Sequence, residues 1–193
     1  MTRNKWILGA ITAAAAGLGW WFYKTSRAGV PNADYIPLRT EGKIELRRYP
    51  ELVVATTPMK GDRGQSFRRL FRYIDRGNEN LQKIAMTSPV LFDRTGAAMS
   101  FVLPHGYTAE SAPDAADGDV EIGTRPAGTY ASIRFSGNVD ENAEREALRA
   151  LREWMRAEDL PEESDPIAAY YDSPMTPAPL RRNEILIRTS ISM

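Results

Sequence analysis

KIELRRYPELVVATTPMKGDRGQSFRRLFRYI, residues 43–74, carries the reading on which the fold turns. KIELRRY (43–49) and LVVATTPM (52–59) are short runs rich in β-branched and aromatic residues, separated by a proline break, as antiparallel strands require. SFRRLFRYI (66–74) changes period: Phe67, Leu70, Phe71 and Ile74 recur at i, i+3, i+4 and i+7, which predicts a helix with one buried stripe. Gly77 and Asn78 stop it. Outward from there, KIAMTSPVLF (83–92) and AMSFVLP (98–104) read as two further strands, so the first half runs strand, strand, helix, strand, strand.

The same order returns downstream. DVEIGTR (119–125), TYASIRFSG (129–137), AAYYDS (168–173) and NEILIRTS (183–190) read as strands. Between the second and third lies a helix over 141–163, with Asn138 or Asp140 as N-cap and Ala147, Leu148, Leu151, Trp154 and Met155 as its buried stripe. The chain is therefore expected to be α+β, a duplicated ββαββ unit giving antiparallel sheet with two helices packed on it. Short turns between neighbouring strands leave no room for the crossovers of a parallel sheet.

The N-terminus is different in kind. WILGAITAAAAGLGWWFY (6–23) is eighteen residues without a charge. As a helix it would extend about 27 Å, enough for a bilayer core. Arg3 and Lys5 precede it and Trp20, Trp21, Phe22 and Tyr23 close it as an interfacial belt. Residues 1–23 thus read as a membrane anchor, or as a signal segment cleaved near the alanines at 13–16. The anchor would place the domain outside the cytoplasm, on the periplasmic side; cleavage would export it. Residues 24–40, with Pro, Gly and polar residues and no periodicity, read as a linker, and 41–190 as the folded domain.

Composition narrows the chemistry. Lys and Arg total 25, equal to Asp and Glu at 25. Four of the bases precede residue 31 and no acid does, so the domain is mildly acidic and offers no electrostatic footprint for nucleic acid. With no cysteine and the single histidine His105 in a turn, structural zinc sites and thiol chemistry have no residues to use. Arg68, Arg69, Arg72 and Arg76 form a basic ridge on the first helix, one turn apart. Such a ridge serves either as a solvated face or as a clamp for carboxylates, which guanidinium holds by two hydrogen bonds.

KIAMTSPV (83–90) and YDSPMTPAPLRRNEI (171–185), with SFRRLFRYIDRGNENLQ (66–82), MSFVLPHGYT (99–108) and TYASIRFSG (129–137), resemble the SOUL haem-binding family over about 41–190. The resemblance implies a distorted antiparallel β-barrel with two flanking helices. It also implies binding of haem or another tetrapyrrole in an apolar cleft between the first helix and the loop joining the last two strands. Carried onto this chain, the cleft comprises Met59, Lys60, Arg68, Phe71, Arg72, Met175, Leu180 and Arg181. Some members are proposed to use an axial histidine, and the first hundred residues here contain none. Binding would then rest on apolar burial and propionate contacts, about 25 cal/mol per Å² over a few hundred Å² before association costs. Transport, buffering or sequestration near a membrane, with no metal ligands and no defined protein partner, is the expected role. A small-molecule hydrolase using a cleft carboxylate or Tyr, and a non-catalytic envelope interaction protein, are the alternatives.

Overall fold

The computed structural model describes residues 30–60, 62–93, 98–116, 118–138 and 140–191. The segment 6–23 lies outside them. No helix among the described residues is long and apolar enough to cross a membrane.

Among the described residues nine strands and two α-helices follow in the order β1 (Ile36–Glu41), β2 (Ile44–Tyr49), β3 (Leu52–Pro58), α1 (Arg63–Ile74), β4 (Val90–Asp93), β5 (Ala98–Val102), β6 (Glu121–Arg125), β7 (Gly128–Phe135), α2 (Glu141–Ala157), β8 (Ile167–Tyr170) and β9 (Asn183–Thr189). All strands join one antiparallel sheet in the order β1-β2-β7-β9-β8-β4-β5-β3-β6. The duplication is written into that order. From the central β4 and β8 pair the sheet reads β4-β5-β3-β6 one way and β8-β9-β7-β2 the other, so the first strand of each unit pairs with the partner unit. In the same relation, α1 packs on β3 and β5 and α2 on β7 and β9.

The expected barrel is an open sheet, curled rather than closed, with β1 and β6 at its edges. The direction of curl follows from one contact. Arg125 of β6 donates to Asp93 of β4 at 2.7 Å across the two strands between them, which a flat sheet with about 4.8 Å strand spacing would not permit. The face bearing Asp93 and Arg125 is therefore concave, and both helices cover the convex face. On the convex side one cluster gathers Leu46, Ile133, Leu151, Met155 and Ile185 under α2, and another gathers Ala55, Leu70, Ile74, Met99 and Phe101 under α1. Phe92 packs against both. A third cluster, with Tyr49, Val54, Leu91, Tyr130, Ile167 and Leu186, fills the concave side.

Several expectations shift. The linker read over 24–40 becomes strand at Ile36, because β1 pairs antiparallel with β2 despite being exposed throughout; hairpin hydrogen bonds, rather than burial, make it a strand. The strand expected over 83–92 is confined to Val90–Asp93. Upstream, Ile84 N–H donates to Ile74 O at 2.8 Å and Ser88 N–H to Pro31 O at 2.9 Å, so that backbone is satisfied outside the sheet. The second helix ends at Ala157 rather than 163, where Asp159 takes φ 53° and Leu160 N–H returns to Met155 O at 2.9 Å. Asp140 is its N-cap, accepting from the Asn142 and Ala143 amides at 3.0 and 2.8 Å. At the end of α1, Gly77 N–H reaches Arg72 O at 2.8 Å, where a β-carbon would stand 2.6 Å from that oxygen.

Candidate functional site

The first helix begins three residues before the expected 66, capped by Asp62, whose carboxylate accepts from Gln65 N–H at 2.7 Å. Its buried residues are Ser66, Leu70, Tyr73 and Ile74. The expected stripe is thus only half right: Phe67 and Phe71 remain 38% and 48% exposed. Their rings stack at 6.2 Å, and Phe67 also meets Phe101 edge-on at 5.2 Å. Sequence periodicity missed this because Tyr73, following Arg72, takes the core place that the pattern assigned to the phenylalanines.

Arg63, Phe67 and Phe71 are spaced by four and form one ridge along α1. The Arg63 end of that ridge lies over the Phe92 and Tyr170 rings, at 5.2 and 5.9 Å, and 3.6 Å from Glu144 of α2. The ridge therefore faces the seam between β4 and β8, where the two halves of the protein meet. Phe92 and Tyr170 pack edge-on at 5.0 Å below it. The Tyr170 hydroxyl donates to the buried Glu144 carboxylate, and burial first, then this bond, raises the Tyr170 phenol above its ordinary value. Arg63, Glu144 and Tyr170 were not among the expected site residues; their separation in sequence hides a cluster formed only when the halves pack.

The 172–182 loop leaves β8 just beyond Tyr170. Met175 and Leu180 stand 66% and 54% exposed on it. Arg181 does not project as a clamp. Its guanidinium donates to Pro174 O at 2.7 Å, Thr176 O at 2.8 Å and Asn138 Oδ1 at 3.2 Å, holding the loop against the turn before α2. Arg68 and Arg72 lie exposed on α1, flanking the phenylalanines, and Lys60 is exposed before the helix. Met59 is half-buried and packs into the cluster under α1. Of the eight expected residues, the structure thus sets Arg68, Phe71 and Arg72 on one helix and Met175, Leu180 and Arg181 on one loop. None of the eight lines the small hollow walled by Leu52, Leu91, Val102 and Leu186 on the concave face, or either of two wider and more open hollows beside Gly128 and Ala150.

Two further features bear on ligand chemistry. His105 is exposed and pairs with Asp34, just before β1, at 2.5 Å. Among the described residues no group of His, Cys, Asp or Glu is arranged to hold a metal ion. On the concave side, Arg47 and Arg182 surround the buried Glu184, with Tyr35, Tyr49 and Tyr171 around them. Burial acts to raise the Glu184 carboxyl, but the hydrogen bonds and charges of the two arginines outweigh it and hold it below the ordinary carboxylate value. Burial pushes the Tyr49 phenol up to about 12 against the pull of Arg47.

A curled antiparallel sheet of two equivalent halves, with a helix backing each, defines an α+β class of fold. Within it, the SOUL heme-binding protein profile matches residues 30–188, and the chain belongs to that family. No curated protein matches it. Solved structures share the fold at low identity. The C-terminal domain of EcmrR is 16% identical, with 77% of this chain and 98% of that one covered and a TM-score of 0.57. An uncharacterized conserved protein from Listeria innocua is 13% identical over 88% of this chain and 98% of its own, with a TM-score of 0.58. A hydrolase from Listeria innocua is 14% identical over the same shares, with a TM-score of 0.52.

Proposed function

We propose that the domain binds haem or another tetrapyrrole against the ridge of α1, between Phe67 and Phe71 on one side and Met175 and Leu180 on the other. The observation that carries this reading is the stacked, solvent-facing pair Phe67 and Phe71 on a helix whose remaining apolar residues are buried. Exposed aromatic surface beside a basic helix fits a flat apolar ring with carboxylate arms. The macrocycle would cover the phenylalanines, and Arg68 and Arg72 would meet its propionates. Bound haem would supply a light-absorbing, redox-active iron; the chain's residues supply its seat.

The donor set fits the ring better than the iron, because the seat offers no imidazole or thiolate, its sulfur donor is the thioether of Met175, and His105 pairs with Asp34. Carriage, buffering or sequestration follows, rather than iron chemistry, and the apolar segment 6–23 would keep the domain beside a membrane, on its periplasmic side. Titrating the full chain with haem and, separately, protoporphyrin IX, following the Soret band and Trp fluorescence, tests this. Saturable binding of both at similar affinity is expected, and absence of saturation with either rejects it. A second reading, hydrolysis, is favoured only by the buried Glu144 and Tyr170 pair beneath Arg63; ester turnover abolished by Glu144→Gln would support it.

A further inference from the structure

The two borders of the α1 ridge carry different charge. Each residue turns the helix by about 100°. Leu70 is buried, Phe71 half-exposed and Arg72 exposed, so each step moves the surface from core to flank to solvent. Phe67 and Arg68 repeat the last two steps one turn earlier. Arg68 and Arg72 therefore form the outer border of the stacked phenylalanines, side by side. No acid occurs within α1, Arg63–Ile74, to oppose them.

The inner border, over the β4 and β8 seam, is of another kind. Phe92 and Tyr170 floor it, and the Arg63 guanidinium lies over their rings at 5.2 and 5.9 Å. Glu144 of α2 stands 3.6 Å from that guanidinium and also accepts from the Tyr170 hydroxyl. The partners differ in freedom: the Arg63 side chain is 49% exposed and that of Glu144 6%. A carboxylate so buried holds its cation, because leaving it unpaired away from water is costly. Arg63 is thus engaged in neutralising Glu144. A ligand carboxylate brought to this border would have to share that guanidinium with Glu144, setting two negative charges around one positive over two aromatic rings.

We infer that the seat selects tetrapyrroles whose carboxylates lie along one edge, and that Glu144, acting through Arg63, excludes those that carry carboxylates on the opposite edge as well. The inference rests on the tetrapyrrole reading of the α1 ridge and names the class of ligand within it. Protoporphyrin IX and haem have this shape, with two adjacent propionates on one edge and vinyl groups away from it. Their propionates meet Arg68 and Arg72, and the vinyl edge lies toward Phe92, Tyr170 and the methylene stem of Arg63. Coproporphyrin III differs in carrying two further propionates where the vinyl groups stand, which makes the two porphyrins a matched pair of probes.

The test titrates the full chain with protoporphyrin IX and with coproporphyrin III, following the Soret band and Trp fluorescence. Wild type should bind protoporphyrin IX about tenfold more tightly or better. Coproporphyrin III is also the more soluble, so the change in this ratio on substitution decides the matter. Glu144→Gln keeps the side chain's shape and releases Arg63. It should raise coproporphyrin III affinity about tenfold and change protoporphyrin IX affinity by less than about twofold. Arg63→Gln, at an exposed position in the first turn of α1, leaves Glu144 uncompensated and should widen the preference; it carries the test should Glu144→Gln fail to fold. Equal affinity for both porphyrins in wild type overturns the inference, as does a folded Glu144→Gln protein with an unchanged ratio or an Arg63→Gln protein with a narrower one. Saturation with both porphyrins at one affinity keeps the seat and rejects its selectivity, whereas no saturation with protoporphyrin IX rejects the seat itself and the inference with it.

Discussion

Arg47 of β2 and Glu184 of β9 meet across the intervening β7 in a two-pronged ion pair, at 2.6 and 3.0 Å, with side-chain exposures of 2% and 0%. Arg182 adds a third bond to the same carboxylate at 2.7 Å, and the Tyr171 hydroxyl a fourth at 2.9 Å. The pair ties the N-terminal strand of the first unit to the last strand of the second.

Removing the charge from Glu184 should therefore cost far more than a surface pair. Glu184→Gln leaves two guanidinium groups facing a neutral amide, and a loss of about 3–5 kcal/mol is expected from broken buried pairs. Urea denaturation of both proteins at pH 7 measures it.

The same carboxylate sets an acid limit. Its folded value lies below its unfolded one, so its contribution is fully present above the ordinary carboxylate range and is lost as pH falls through the depressed folded value. Stability against pH should drop below about pH 4 in wild type, and the drop should be shallower in Glu184→Gln.

Phe71 and Leu70 are neighbours with opposite consequences. Leu70 is fully buried, so Leu70→Ala should destabilise by about 2–5 kcal/mol. Phe71→Glu should leave the melting temperature within a few degrees of wild type, yet weaken porphyrin binding by about tenfold or more, as loss of a stacked apolar contact predicts. Paired melting curves and Soret titrations separate the two.

Arg181 and Arg68 should differ in how they fail. Arg181 braces its loop through backbone carbonyls, so Arg181→Ala should weaken haem and haem dimethyl ester alike, with the 172–182 loop more open to proteolysis. Arg68→Ala with Arg72→Ala should weaken haem while sparing the dimethyl ester, because only free propionates need a cation.

His105→Ala should leave the Soret spectrum of the haem complex unchanged and stability within about 1 kcal/mol, since its pair with Asp34 is exposed on both sides.

The sequence was most legible where local patterns repeat. Period-2 runs and the stop at Gly77 located most strands and the end of α1, and the repeated order of elements foretold two equivalent halves. It was least legible where partners are remote. β1 has no buried face of its own, and only pairing with β2 makes it a strand. Residues 83–89 look like strand but spend their hydrogen bonds on Ile74, Pro31 and Val102. For the site, the SPMTPAPLRR loop and the arginines of α1 were visible as motifs, whereas the roles within them were not. The resemblance sets Arg181 in the cleft, and only the folded loop shows its guanidinium spent on the carbonyls of Pro174 and Thr176.

By itself the sequence determined the α+β class, the duplication and the family, because these rest on periodicity, turn residues and motifs that are properties of neighbouring residues. Only the tertiary structure decided which phenylalanines face solvent, that the sheet curls open instead of closing, and that Glu184 shares its charge with Arg47 from the far end of the chain. Those outcomes depend on which side chains win a place in a shared core and on desolvation of charges brought together across the sheet, and neither is a property of any single segment.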